Sequence, residues 1–214
     1  MPPVLGTALG PGRGHREGTP QTHPRFHRGP RPRRPLNGAG QPRQPTRPSP
    51  SRTDATAVAK AFEDPDIQRW HLKRADSEAE ARQWITRWQQ GWQDEAAAHW
   101  AIVDGGSGDS EGGGVLGRVS LQSVILAGGQ AEIAYWTAPW ARGRGVCSRA
   151  VTAVSDWALG EAGFHRLELG HSTLNDASCR VAVRTGFVLE GVRRNALLHA
   201  DGWHDMHLHA RVRA

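Results

Sequence analysis

The residues with the clearest chemical potential lie between positions 135 and 150, in the stretch YWTAPWARGRGVCSRA. An Arg-Gly-Arg-Gly run at 142–145 leads directly into a predicted helix, whose first amides have no intrahelical acceptor. Glycine lets a backbone approach an anion closely, and the helix dipole adds positive potential at the same place. The side chains of Arg142, Arg144 and Arg149 add formal charge. The stretch therefore predicts a phosphate site, although Gly-x-Gly also occurs in ordinary strand-to-helix turns.

Two glutamates on neighbouring predicted strands are candidates for proton transfer. Glu132 shares a strand face with Trp136, and Glu168 alternates with apolar neighbours on the next strand. Either carboxylate is able to deprotonate an ammonium group through a water molecule, but solvated strand glutamates are common and need no catalytic role. Glu132 is the first choice as a base. His171, expected in a loop, is a third candidate because the ordinary pKa of histidine is nearest neutrality.

Metal and thiol chemistry are not favoured by the spacing. In an extended strand His207 and His209 share a face, but no cysteine and no carboxylate other than Asp205 stands beside them, so no metal site is predicted. Cys147 at a helix start is a conceivable nucleophile, yet no base accompanies it at a suitable spacing. With only one further cysteine, Cys179, reduced thiols are expected.

Hydrophobic periodicity predicts the elements that must position these residues. Their order is helix, helix, three strands, helix, strand, helix and two strands. EDPDIQ is predicted as a turn that ends the first helix, GGSGDSEGGG as a flexible loop between strands, and Asp201-Gly202 as the turn of a terminal antiparallel pair. The predicted helices cover residues 55–62, 77–91, 146–159 and 175–185, and the strands include HWAIVD, VLGRVSLQSVIL, AEIAYW, HRLELGHS, FVLEGVRRNALL and WHDMHLHARV.

Three tryptophans follow one face of the second predicted helix. Ser77 and Glu80 have the spacing of a capping box at its start. Trp84, Trp88 and Trp92 then recur every four residues, which is typical of a face packed on the core. The alternative is that Trp88 or Trp92 lines a pocket for a second substrate.

The charge of the chain is concentrated at its N-terminus. Of 214 residues, the first 55 hold ten arginines and no lysine against Glu17 and Asp54, a net charge of +8, while the remainder holds 17 basic and 19 acidic residues. The same segment holds twelve of the fourteen prolines, which block helices and strand ladders. We predict a disordered Pro/Arg/Gly-rich tail over residues 1–52 and one domain over 53–214.

This composition also limits the partners. An arginine-rich tail is able to neutralise phosphates, but it carries almost no aromatic side chain for stacking on bases, so a nucleic-acid partner is not favoured. No run of about 18 apolar residues and no basic leader occur. We therefore expect a cytoplasmic protein without a membrane segment; the oligomeric state stays open.

The chain resembles the GNAT superfamily of N-acetyltransferases, in particular its RimJ/RimL-type subgroup. The signature of the superfamily is Arg or Gln, two residues, Gly, one residue, then Gly or Ala. Residues 142–147 read Arg-Gly-Arg-Gly-Val-Cys, so a cysteine replaces the last small residue. A second match, NDASCRVAVRTGFVLEGVRRNALLHADGW, is similar to the subgroup's Asn-x-x-Ser helix, the Gly-Phe after it, and the Glu-Gly and Asp-Gly of a final hairpin.

The resemblance implies a fold and a reaction. The fold is α/β, with a mixed, mostly antiparallel sheet flanked by helices and splayed between the strands at 132–138 and 167–171. The reaction is direct transfer of an acetyl group from acetyl-CoA, as cosubstrate and without a metal, to a primary amine of a protein N-terminus or a small molecule. Ser178 is the candidate nearest the sulfur, as proton donor or water-positioning group. The tyrosine that usually serves as the acid in this superfamily is absent, because Tyr135 is the only tyrosine of the chain. The residues expected to hold acetyl-CoA are Trp136, Thr137, Ala138, Arg142, Gly143, Arg144, Gly145, Val146, Cys147, Ser148 and Asn175.

Two questions stay open at this point. The same fold is able to serve as an inactive CoA-binding or sensor domain, with a basic tail that binds nucleic acid as a lesser further role. The resembling family also begins with a strand before its first helix, whereas QPRQPTRPSPSR shows no alternation and its prolines lack N–H groups. We expect that strand to be absent or irregular.

Overall fold

A computed structural model describes residues 46–48, 50–104 and 114–214 of the chain, the first three by their backbone. The predicted tail up to residue 45 and almost all of the predicted GGSGDSEGGG loop lie outside the described residues. The described helices are α1 (Ala55–Phe62), α2 (Pro65–Trp70), α3 (Glu78–Gln93), α4 (Val146–Leu159) and α5 (Asp176–Arg184). The strands are β1 (Thr46–Pro48), β2 (Ala98–Val103), β3 (Val115–Ile125), β4 (Gln130–Thr137), β5 (Arg166–Ser172), β6 (Val188–His199) and β7 (Gly202–Val212).

The seven strands form one sheet in the order β1-β2-β3-β4-β5-β7-β6. All neighbouring pairs are antiparallel except β4 and β5, which run parallel. β4 and β5 pair only from Gln130 to Glu132 and from Arg166 to Glu168. Beyond that point the two strands separate and leave a gap. The predicted α/β fold with a mixed, mostly antiparallel, splayed sheet is confirmed.

α2 replaces the predicted turn after the first helix. The Asp64 side chain accepts a hydrogen bond from the Ile67 amide at 3.0 Å, and Pro65 occupies the first helical position. Proline is well suited to that position because its missing N–H would have no partner there. The prediction of a turn at EDPDIQ was therefore wrong, since these residues start a short helix.

β1 is a three-residue edge strand that lies before the predicted domain boundary. It pairs with β2 from Thr46 opposite Ile102 to Pro48 opposite Trp100. Proline is tolerated in an edge strand because one side of the strand needs no ladder hydrogen bonds. The strand that the sequence analysis expected to be absent or irregular is present, although short.

α3 begins at the predicted N-cap and packs its tryptophans toward the sheet. The Ser77 hydroxyl accepts a hydrogen bond from the Glu80 amide at 3.2 Å. Trp84, Trp88 and Trp92 are partly buried and pack against the hydrophobic core. The tryptophan face of α3 therefore belongs to the core between helix and sheet.

Among the described residues, no helix combines the length and the apolar character needed to cross a lipid bilayer.

Candidate active site

The predicted phosphate loop lies where β4 ends and α4 begins. Gly143 and Gly145 have φ values of 74° and 67°, in the left-handed region that favours glycine. Gly145 is the N-cap of α4, and no side chain among the described residues caps this helix. The first helical amide with an intrahelical acceptor is that of Arg149, which donates to the Gly145 carbonyl at 3.2 Å. The amides of residues 146–148 are thus available to an external acceptor such as a phosphate oxygen.

Arg142 braces this loop against α2. One guanidinium nitrogen lies 2.5 Å from an Asp64 carboxylate oxygen, and the other lies 3.2 Å from an oxygen of Asp66. Burial raises the pKa of Asp64, but the hydrogen bonds from Arg142 and the Ile67 amide outweigh it and hold this pKa below its ordinary value. The charge of Arg142 is therefore directed to two carboxylates.

The other two arginines also act within the protein. Arg144 pairs with Asp104 at 3.1 Å, and the Arg149 guanidinium donates to the Arg144 carbonyl at 2.9 Å. A Cβ atom built on Gly145 would lie 3.2 Å from that guanidinium, so Arg149 folds back over the loop. The arginines are thus engaged by carboxylates and a carbonyl, and the amides of residues 146–148 are the donors of this loop without a partner among the described residues.

The end of β4 faces the gap with alternate backbone groups. The Ala138 amide donates to the Leu116 carbonyl on β3 at 2.9 Å. Because hydrogen-bonded and non-hydrogen-bonded pairs alternate in an antiparallel ladder, Trp136 also points its backbone groups toward β3. The N–H and C=O of Tyr135 and Thr137 point to the other edge, where β5 has separated. This edge offers an unpaired strand to an extended chain.

The start of α5 holds two candidate residues, Asn175 and Ser178, and Tyr135 of β4 contacts it. The Asn175 side chain caps α5 by accepting a hydrogen bond from the Ser178 amide at 3.0 Å. The Tyr135 hydroxyl donates to the Ser178 carbonyl at 3.3 Å, which links β4 to α5. Burial raises the pKa of Tyr135 well above its ordinary value, so this hydroxyl keeps its proton.

The two candidate bases are register partners with different surroundings. Glu132 and Glu168 lie opposite each other at the last pair before β4 and β5 separate. A Glu168 oxygen accepts a hydrogen bond from the Arg166 Nε at 2.9 Å, and the same guanidinium binds Glu190. Within the described part of the chain Glu132 makes no ion pair, and the Ser123 hydroxyl lies 3.4 Å from one of its oxygens. Glu132 is therefore the carboxylate that remains available.

His171 lies in β5, not in an exposed loop as the sequence analysis expected. Its ring is buried, with Nδ1 2.8 Å from the Ser172 carbonyl oxygen and Nε2 3.1 Å from Nε2 of His209. Burial lowers the pKa of His171, and the neighbouring histidines lower it further. His171 also lies on the opposite sheet face from Glu132, because strand neighbours alternate. The predicted strand HRLELGHS, rather than the expected loop, thus holds His171, and the expected exposure was wrong because the ring packs against the rings of His207 and His209.

Arg118 is a functional candidate that sequence reasoning missed, since it lies within the predicted strand VLGRVSLQSVIL and was given no role. Its guanidinium lies 4.7 Å from the Trp88 ring centroid, and one nitrogen is 3.4 Å from Nδ1 of His99. Burial lowers the pKa of Arg118 to about 10, so it stays charged at neutral pH; burial and this charge lower the pKa of His99 to about 3. The Arg118 Nε atom is buried without a partner among the described residues. The alternation of VLGRVSLQSVIL puts Arg118 on the polar side of its strand, so the sequence carries no signal of this contact.

Cys147 is expected to resist alkylation in the folded protein. Burial raises the pKa of this thiol to about 12, and its residue is 8% exposed, so almost no thiolate exists at neutral pH. Cys179 is half-buried and is expected to react first. Iodoacetamide labelling at pH 7.5 followed by peptide mass spectrometry checks this. Rapid labelling of Cys147 in the folded protein would instead support the hypothesis that Cys147 acts as a nucleophile.

Comparison with known proteins identifies the family of the chain. The model of the acetyltransferase (GNAT) domain matches residues 47–188. A ribosomal-protein-serine acetyltransferase of Escherichia coli is 30% identical over 98 residues, which cover 46% of this chain and 55% of that protein. The chain thus spans about half the length of this curated relative.

Solved structures share the fold at lower sequence identity. A ribosomal-protein-S5-alanine acetyltransferase from Vibrio fischeri superposes with a TM-score of 0.68 at 20% identity, over 78% of this chain and 92% of that one. Mycobacterium smegmatis RimJ in complex with CoA-disulfide superposes with a TM-score of 0.69 at 20% identity, over 78% and 80%. These two likenesses support the fold.

Proposed function

The chain belongs to the acetyltransferase (GNAT) domain family, and on that premise we propose that it transfers an acetyl group from acetyl-CoA to a primary amine. The observation that carries the proposal is the run of amides at residues 146–148 that have no partner in the described part of the chain, next to the gap between β4 and β5. A diphosphate needs such donors, and an extended arm beside it needs an unpaired strand edge. The loop and the edge of β4 meet at the same end of the sheet.

The described residues fit acetyl-CoA at this place. A Cβ atom built on Gly143 would meet nothing within 4 Å, so the loop leaves open space for a phosphate group. The amides of Val146, Cys147 and Ser148 would bind the diphosphate, and the backbone of Thr137 would pair with the pantetheine arm. Bound acetyl-CoA supplies the acetyl group as a thioester, and the protein supplies alignment and proton transfer.

Glu132 is proposed as the base that prepares the acceptor. An amine attacks a thioester only as the neutral species, whereas primary amines are largely protonated at neutral pH. Glu132 lies where the strands begin to part and is free of ion pairs among the residues that the structure describes. It would remove the ammonium proton directly or through one water molecule. Glu168 is held by Arg166 and would serve the structure of the sheet.

Ser178 is proposed to protonate the departing sulfur or to position a water molecule that does so. Its amide and carbonyl are fixed by Asn175 and Tyr135, so the first turn of α5 is held toward the gap. Thiolates leave readily, and the contribution of this proton is therefore expected to be smaller than that of the base.

Ser178→Ala is expected to lower kcat about 10-fold while leaving the affinity for CoA within about 3-fold. The expected loss is in the chemical step, because the cradle for the diphosphate is untouched. Steady-state kinetics with a thiol-detecting reagent and a CoA titration measure the two effects separately. Ser178→Thr, which keeps a hydroxyl, is the matched control and is expected to recover most of the rate. An unchanged kcat in Ser178→Ala would remove Ser178 from the mechanism.

The acceptor is proposed to be the N-terminal amine of a protein, with a small-molecule amine as the other possibility. The named relatives act on ribosomal proteins, by their names. The terminal hairpin also exposes large apolar side chains, a surface suited to a macromolecule. These side chains are Val188, Leu189, Val192, Leu197, Leu198 and Trp203.

A panel of acceptors tests this proposal. We expect turnover of peptides with a free α-amine, and none of the same peptides when the α-amine is blocked and only lysine amines remain. Polyamines and amino sugars serve as the small-molecule arm. Faster turnover of a small amine would overturn the proposed acceptor class, and binding of CoA without turnover of any amine would favour a CoA-binding domain. We place the activity in residues 53–214 together with β1, without a requirement for the basic tail.

A further inference from the structure

Four side chains able to bind a metal ion converge between β5, β7 and α5. His171, His207, His209 and Cys179 each offer one ligand atom, and these four atoms all lie within 4.8 Å of one another. We call them the histidine–cysteine cluster. Strand spacing alone pairs only His207 with His209 and places no cysteine beside them, whereas the fold adds His171 and Cys179.

The register of the sheet explains how the cluster forms. His171 lies opposite His207, and Leu169 lies opposite His209, so the three imidazoles share one face of the sheet. α5 packs against β5 and brings Cys179 to this face. Three elements, β5, α5 and β7, thus supply the four ligands, which is why the spacing within one strand did not reveal them.

The separations suit a tetrahedral ion with nitrogen and sulfur ligands. Zinc bonds of ~2.0 Å to nitrogen and ~2.3 Å to sulfur place the ligand atoms of a tetrahedral site roughly 3.3–3.8 Å apart. Nε2 of His171 and Nε2 of His209 already lie 3.1 Å apart. The remaining atoms need to move by about 1 Å to reach tetrahedral zinc geometry.

His171 has the outer contact that is typical of a metal-bound histidine. Nδ1 of His171 lies 2.8 Å from the Ser172 carbonyl oxygen, so Nδ1 carries the proton and Nε2 presents its lone pair to the cluster. Nδ1 of His207 is buried without a hydrogen-bond partner among the described residues. Buried polar atoms without partners are costly, and packing alone would be served better by apolar side chains.

The cluster also has an entry path. His171 and His209 are buried, whereas Cys179 and His207 are only partly buried. An ion from solvent would meet the thiol and one imidazole first, and the two inner imidazoles would then complete its coordination.

We propose that His171, Cys179, His207 and His209 form a binding site for a divalent ion of the zinc class. Three imidazoles and a thiolate match the preference of Zn²⁺ for nitrogen and sulfur, and they disfavour Mg²⁺ and Ca²⁺, which take oxygen ligands. No step of the proposed acetyl transfer uses this ion. Its effect is to fasten α5, which carries Asn175 and Ser178, to the sheet. The proposal stands independently of the proposed function.

Cobalt substitution tests the site in the full-length chain. After treatment with a chelator, the protein is titrated with Co²⁺ and then with Zn²⁺. We expect one Co²⁺ per chain, intense visible bands typical of tetrahedral Co²⁺, a near-ultraviolet thiolate charge-transfer band, and displacement by Zn²⁺. Cys179→Ser is expected to abolish the charge-transfer band and to weaken Zn²⁺ binding about 100-fold, and His209→Gln to weaken it similarly.

Matched variants separate this site from other thiols and imidazoles. Cys147→Ser keeps Cys179 and is expected to retain the charge-transfer band. His204→Gln alters a buried imidazole of β7 outside the cluster, whose Nδ1 lies 2.8 Å from the Ser172 hydroxyl, and is expected to retain Zn²⁺ affinity. A band that is lost in Cys147→Ser and kept in Cys179→Ser would overturn the assignment.

A measurement on the parent chain covers the case in which a variant fails to fold. Zn²⁺ is expected to protect Cys179 from alkylation and to raise the melting temperature, since an ion that binds only the folded state stabilises it. Absence of both effects, together with absence of the cobalt bands, would show that the cluster binds no ion.

Discussion

Gly145→Glu is expected to lower the affinity for CoA by about 100-fold or more. Gly145 has a left-handed φ of 67°, and a Cβ atom there would lie 3.2 Å from the Arg149 guanidinium. The substitution adds a negative charge beside the amides of residues 146–148 and strains the backbone that holds them. Each charge-assisted hydrogen bond contributes about 1.5–3 kcal/mol, so the loss of two accounts for a change of this size. Calorimetric titration with CoA measures the loss.

Gly163→Glu is the matched control for this experiment. Gly163 also has a left-handed φ, 78°, and a Cβ atom there would meet nothing within 4 Å. It lies beyond the other end of α4, so the substitution adds the same charge and similar backbone strain away from the phosphate loop. We expect CoA affinity within about 3-fold of the parent. Equal losses of CoA affinity in the two variants would indicate general destabilisation and would contradict the assignment of residues 142–148 as the phosphate loop.

Glu132→Gln is expected to lower kcat by about 100-fold at neutral pH. The amide keeps the shape of the side chain but cannot accept the ammonium proton. Because a higher pH supplies the neutral amine without a base, the deficit is expected to shrink as the pH passes the pKa of the acceptor amine, about 7.7–8 for an α-amine. A profile of kcat against pH for the parent and the variant measures this, and a purely structural role for Glu132 would not produce such recovery.

Glu168→Gln is the matched control because Glu168 is the register partner of Glu132. Its carboxylate binds Arg166 at a partly exposed position, where ion pairs contribute little to stability. We expect kcat within about 3-fold of the parent and full CoA binding. A larger loss of kcat in Glu168→Gln than in Glu132→Gln would reverse the assignment of the base.

Local sequence signals predicted the parts of the site that depend on local structure. Glycines at positions 143 and 145 before an apolar helix periodicity indicated a backbone turn with free amides, and the structure has left-handed glycines at both positions. Asn175 three residues before Ser178 indicated a helix start, and its side chain caps α5. Both features are fixed within a few residues by turn and cap geometry.

Local sequence signals did not predict the ion pairs between residues that are far apart in the sequence. The charges of Arg142 and Arg144 were expected to serve the phosphate site, but Asp64, Asp66 and Asp104 reach them from other elements. These partners lie 40 to 78 residues away in the sequence. No periodicity within one strand or helix reports a contact that tertiary packing creates.

Strand register and edge position also explain two features that the sequence did not predict, the histidine–cysteine cluster and β1. The histidine–cysteine cluster depends on which residues of β5 and β7 lie opposite each other, and a shift of one residue would turn these histidines to the other face. β1 exists despite Pro48 because it occupies the edge of the sheet, a position that cannot be read from its own sequence.

The most direct test of the account is a calorimetric comparison of CoA with pantetheine, which has the thiol arm without the diphosphate. We predict that the full-length chain binds one CoA and that pantetheine binds about 100-fold more weakly or not at all, because free amides at the start of α4 hold the diphosphate. Equal affinity for the two ligands, or no binding of CoA at millimolar concentration, would contradict the account.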